Sequence, residues 1–224
     1  MKKVCVALFA CLSALSASAQ SYEPWVCTAV GTKMVYTVSF GSERLGELTK
    51  TVTAFDGERV AIRTTQKNKA AVDEHWYIYP DSTVLHIELP QAVVDNLKAM
   101  NVEQIESRAD NMALPVEMKA GESLRGFGFS ITGTKDGKRD TISVVADSIR
   151  VIGEEEIKTP AGKFSAVRIE LQSRTEVGGE STAVPMTQWL ARGVGVVRQE
   201  TRTQVTPEFA IVKVQELKKI IKAK

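Results

Sequence analysis

Cysteine is almost missing from this chain. Of 3 cysteines in 224 residues, Cys5 and Cys11 lie in an N-terminal segment that reads as removable, which leaves Cys27 alone. With one cysteine no intrachain disulfide can form, so the folded part has to hold itself by a packed core. Histidine is equally scarce at 2, and aromatic residues make up 6%. Long apolar runs are lacking too: the stretch from Val4 to Leu15 is shorter than the roughly 20 residues a membrane-spanning helix needs. Familiar catalytic spacings are missing as well. There is no H-E-x-x-H, no paired C-x-x-C, no P-loop and no G-x-S-x-G elbow. Gly126 and Gly128 begin like a dinucleotide fingerprint, but Ile131 stands where its third glycine belongs.

The beginning of the chain is a targeting signal by its pattern. Met1-Lys2-Lys3 is cationic, Val4 to Leu15 is apolar, and Ala17-Ser18-Ala19 is the small-x-small site of signal peptidase. Residues 1–19 are therefore read as a signal peptide cleaved after Ala19, with residues 20–224 forming one β-rich domain. A lipoprotein reading on Cys11 leaves too little apolar signal ahead of that cysteine. Removing Lys2 and Lys3 lowers Lys+Arg from 29 to 27, equal to the 27 Asp+Glu. A neutral mature chain has no basic excess for a phosphate backbone, so no nucleic-acid partner is expected. About 200 residues suffice to bury about 70% of the unfolded surface, and Cys27 beside Trp25 and Val26 reads as a small buried apolar residue.

Period-2 alternation dominates the rest of the chain. Met34, Tyr36, Val38 and Phe40 share a face. Asp56-Gly57 turns one hairpin, Pro80-Asp81 a second, and Asp136-Gly137 a third. Strands are expected over 123–132, 141–152, 154–158, 163–174, 182–190, 194–203 and 209–217. One short helix is expected over about residues 91–100, started by Pro90 and carrying Val93, Leu97 and Met100 on one face, with Asn101 as its stop. Periodicity leaves residues 102–114 open between helix and strand. The fold class is mainly β: a single curved antiparallel sheet, barrel-like half-shell or sandwich with that one helix.

Two constellations invite a functional reading. On the hairpin turned by Pro80-Asp81, alternation puts Asp73, His75, His86 and Glu88 on one face, with the two imidazoles nearly opposite. Such a set has the chemistry of a divalent-metal site, but it is also the ordinary polar face of a half-buried hairpin, and that plainer reading is preferred. No cofactor and no catalytic residue is expected. The second is Thr159-Pro160-Ala161-Gly162-Lys163-Phe164, answered by Trp189-Leu190-Ala191-Arg192-Gly193-Val194-Gly195. Thr159 to Gly162 suits a type I turn, Gly193 and Gly195 mark a bulge or close approach, and Trp189 is expected to pack over that corner.

At these residues, and at Pro115 to Leu124, the chain resembles a TapB-like family of exported bacterial proteins of unknown function, common in Bacteroidetes. The shared pattern is T-P-A-G-x-F followed by W-x-A-x-G-V-G-x-V and a closing strand. The resemblance implies a periplasmic or outer-membrane-associated β protein with a bent sheet like that of lipoprotein carriers, and it supplies no substrate. The expected function is a non-enzymatic binding module for an apolar or lipid-like ligand. The alternative is a scaffold module that binds an envelope protein through strand edges or the Trp189 corner.

Overall fold

The computed structural model describes residues 22–89, 91–206 and 209–223. Residues 1–19, read as a signal peptide, and Pro90, read as the helix start, lie outside the described residues. Alternating side chains build β1 (Lys33–Phe40), β2 (Glu43–Phe55) and β3 (Arg59–Gln66), then the hairpin of β4 (Val72–Ile78) and β5 (Ser82–His86). Helix α1 (Gln91–Ala99) precedes β6 (Glu103–Asp110) and β7 (Met112–Pro115). The second half runs through β8 (Ser123–Leu124), β9 (Phe127–Lys135), β10 (Lys138–Thr159), β11 (Gly162–Val177), β12 (Glu180–Ala191), β13 (Gly195–Thr206) and β14 (Phe209–Ile221).

All of these strands join one 14-stranded sheet in the order β6-β9-β10-β11-β12-β13-β14-β1-β2-β3-β4-β5-β7, with β8 added against β10. The two ends of that order are consecutive in sequence, separated only by Asn111. Neighbouring Cα atoms are about 3.8 Å apart, so the edges have to meet. The sheet is a nearly closed antiparallel barrel, which settles the choice among half-shell, sandwich and barrel.

Inward-facing side chains fill it. Met34, Tyr36 and Val38 of β1 are 1%, 2% and 4% exposed, and Val60, Leu114, Ile169, Leu190, Val197 and Leu217 are wholly buried. Cys27 is buried among them, as expected. The lead-in to β1 is tied down by segments far along the chain, at Pro115 and Gly193. Trp25 donates from Nε1 to Pro115 O at 2.7 Å, and Gly193 N–H donates to Pro24 O at 2.7 Å.

Several local expectations need correction. The stretch 102–114, open between helix and strand, forms β6 and most of β7 with Val102 and Asn111 outside them, because Asn101 ends α1 at φ +59. The N–H groups of Asn101 and Val102 then donate to Lys98 O and Leu97 O, a Schellman-type stop. Met100 falls beyond the last helical turn and is exposed, so it does not share the face of Val93 and Leu97. The strands expected over 141–152 and 154–158 are one 22-residue strand, β10. Gly153 is a bulge (φ +146) rather than a break, and Ser148 (φ +52) sits in a second irregularity. Both bend a long strand round the barrel without ending it. Conversely, the strand expected over 123–132 divides into β8 and β9. At Gly128 (φ +144) the two backbones approach so closely that an added Cβ would lie 2.2 Å from Val144 O.

One charged pair faces inward. Lys50 shares its face with buried Leu48 and Val52, and Glu74 shares its face with buried Trp76. Lys50 Nζ donates to both Glu74 oxygens, at 2.8 and 3.0 Å, and Thr64 Oγ1 donates to Oε1 at 3.1 Å. Burial pushes the Glu74 carboxyl up, but the Lys50 ammonium and these hydrogen bonds outweigh it, so its net direction is down.

Gly128→Ala should cost about 3 kcal/mol in urea unfolding, from clash and positive φ together. Gly46→Ala, at φ +135 with open space around it, should cost only about 1 kcal/mol. Equal losses would refute the close approach. Glu74→Gln should lose about 2 kcal/mol at neutral pH by leaving Lys50 without its counter-charge. Because the carboxyl is held below its unfolded value, the pair's contribution is complete above about pH 5 and disappears as pH falls through the folded pKa. The stability gap between wild type and Glu74→Gln should therefore narrow on acidification, and a gap independent of pH would contradict this.

Candidate functional site

Toward one end of the barrel the packed core gives way to a cavity of about 440 Å³. Its walls come from strands far apart in the sheet order. Leu85 stands on β5, Phe127 and Phe129 on β9, Val144 and Ala146 on β10, Leu171 on β11 and Met186 on β12. The register pairs Phe127 with Ala146 and Phe129 with Val144, so these four point the same way. Ser173 pairs with Ala146 and shares a face with Leu171, which carries the same inward direction onto β11. The space is therefore part of the lumen. Its volume lies in the range that encloses small ligands.

Besides Ser173, three polar features interrupt this hydrocarbon wall. Glu74 reaches it from β4, backed by Lys50. Gln188 lies between Met186 and Leu190 on β12, 9% exposed, and its Nε2 donates to Gln199 Oε1 at 2.9 Å. Gln188 Oε1 is buried and has no hydrogen-bond partner among the described residues. The third is the histidine hairpin, which forms one border of the cavity.

The four polar residues of this hairpin border the cavity together, but they are not all bonded to one another. His75 pairs directly with His86 across β4 and β5, and His75 Nδ1 lies 3.0 Å from Glu88 Oε1. The hydrogen bond to His75 holds the Glu88 carboxyl below its usual range. Asp73 does not join them. Arg63 clamps it through two hydrogen bonds at 2.8 and 2.9 Å and holds its carboxyl low. Among the described residues no group of three or more His, Cys, Asp or Glu is placed to hold a metal ion.

The motif residues fall at turns and against the core. Thr159 pairs with Gly162 across the Pro160-Ala161 corner, and Ala161 N–H donates to Thr159 Oγ1. Phe164 packs against the core. Gly193 and Gly195 carry φ of +65 and +98. Trp189, however, does not cover their corner. Leu190 pairs with buried Val167 and is wholly buried, whereas its neighbour Trp189 takes the other face with Arg168, where it is still only 9% exposed. There Trp189 donates from Nε1 to Glu155 at 2.6 Å between the guanidinium groups of Arg168 and Arg198, each 5.7 Å from its ring. Trp25 covers the corner instead, with Arg192 stacked 4.1 Å above it and hydrogen-bonded to Glu23 O and Val116 O.

The cavity residues escaped the motif search. A weaker signal was available: Lys50 between Leu48 and Val52, and Gln188 between Met186 and Leu190, are polar residues at apolar positions of an alternating strand.

No helix among the described residues is long and apolar enough to cross a membrane. No curated protein matches the chain. Two solved structures share its fold. A Bacteroides fragilis chain described as an exported protein with a YmcC-like fold is 15% identical, with 88% of this chain and 98% of that chain covered at a TM-score of 0.62. A Parabacteroides distasonis chain described as a lipoprotein is 14% identical, with 90% and 100% covered at 0.63. The TapB-like label suggested by the motif is not carried by these matches. The family that does match is DUF3108-like, over residues 31–204, and the chain belongs to that family.

Proposed function

We propose that the protein is an exported, envelope-associated binding module that takes the apolar part of a lipid-like molecule into the end of its barrel, without catalysing a reaction on it. The lumen cavity carries this reading. Apolar walls with a few inward polar groups are the usual make-up of a site for an amphipathic small molecule. The N-terminal signal pattern and the motif's resemblance to exported envelope proteins support the setting, as do the fold neighbours described as an exported protein and a lipoprotein. A scaffold role has less support. It would draw on open strand edges or an exposed Trp189, whereas the sheet's ends meet at Asn111 and Trp189 is held between two arginines.

Protein purified from its native envelope and extracted with solvent should release a lipid-like molecule in stoichiometric amount by mass spectrometry. Val144→Arg places a charge on a partly exposed cavity wall. It should lower that yield at least about tenfold, the equivalent of about 1.4 kcal/mol, with little change in Tm. Wild-type protein that carries no such molecule and transfers none between vesicles would overturn the proposal.

A further inference from the structure

We infer that the polar end of the bound molecule is a hydrogen-bond donor without negative charge, an amine or a hydroxyl, and not a carboxylate or phosphate. This rests on the reading of the cavity as a lipid-type site and concerns which amphiphile it takes.

Beside the imidazoles of His75 and His86 and the hydroxyl of Ser173, the side chains of fixed charge on this wall are all of one sign. Asp73, Glu74 and Glu88 contribute to it, and among the described residues no lysine or arginine lines it. Lys50 and Arg63 stand behind two of those carboxylates and are already engaged by them, at 2.8 Å in each case. Neither lines the cavity, so neither presents its charge to a head bound there. The uncharged polar group nearest the apolar walls leans the same way. Gln188 spends its amide N–H on Gln199 and leaves its carbonyl oxygen buried with no partner among the described residues. An unmatched buried acceptor is costly and is relieved by a donor. A carboxylate or phosphate would bring further acceptors to a site already rich in them, and would meet Glu74 in a medium that screens charge poorly. An ammonium or hydroxyl would satisfy Gln188 and the remaining lone pairs of Glu74, while its chain lies along Phe129, Leu171 and Met186.

Four amphiphiles with the same chain decide this: dodecylamine, monolaurin, lauric acid and lauroyl lysophosphatidate. Each is titrated calorimetrically into delipidated full-length protein at neutral pH, below its aggregation threshold. Dodecylamine or monolaurin should bind at least about tenfold more tightly than both acids, a difference of about 1.4 kcal/mol. Which of the two leads identifies the head as amine or hydroxyl. Equal affinities, or a preference for the acids, would overturn the inference while leaving the cavity reading in place. Binding of none of the four would overturn both. Glu74→Gln leaves Lys50 as the sole charge of its pair and should shift the ratio of lauric acid to dodecylamine affinity at least about tenfold toward the acid. If that variant does not fold, Gln188→Leu, close to it in volume, should weaken monolaurin by a similar factor. An unchanged ratio in the first variant, or unchanged monolaurin affinity in the second, would also overturn it.

Discussion

Asn111 imposes the constraint on which the rest of the molecule depends. It links β6 to β7, the first and last strands of one sheet, and a single peptide step leaves those edges no room to be apart. A flat sheet of this width would expose its apolar face to water, whereas closure turns that face into an interior. The bulges at Ser148 and Gly153, and the close backbone contact at Gly128, supply the curvature that closure requires.

Closure also explains why the interior is not uniform. Tyr36, Ile169, Leu190 and Leu217 are fully buried in a section filled by side chains, whereas the section between the histidine hairpin and β9–β12 keeps a cavity. The inward ion pair of Lys50 and Glu74 and the amides of Gln188 and Gln199 belong to that second section. A buried ion pair adds little net stability compared with apolar side chains of the same size. Core stability alone therefore gives no reason for placing one there, and a contact with the head of a ligand would.

Much of the architecture was legible because it is local. Hairpin turns at Asp56-Gly57, Pro80-Asp81 and Asp136-Gly137, the short helix, and Asn101 as its end all depend on residues a few positions apart. What escaped depends on distance. Gly153 reads as a break until β11 is seen bridging it, and Gly126 and Gly128 read as ordinary strand residues until β10 is found against them. The direction of Trp189 turns on which of two adjacent apolar residues faces inward, and Leu190 wins. The cavity is the least local feature of all, since strands more than a hundred residues apart supply its opposite walls. The histidine pairing was legible, but the removal of Asp73 by Arg63 was not, because Arg63 comes from the neighbouring β3.

The pairing of β1 with β14 carries a further consequence, for how the chain comes into being. Met34 lies opposite Ile220 and Phe40 opposite Lys213, so the first strand waits for β2 to β13 to be made before its second neighbour arrives. Contacts of such long sequence separation form late and slowly. A chain emerging from its N-terminus can assemble the β1–β2–β3 meander early, but its lumen stays unsealed until the last strand is delivered. The cavity itself needs both halves of the sheet, because its walls come from β4 and β5 on one side and β9 to β12 on the other.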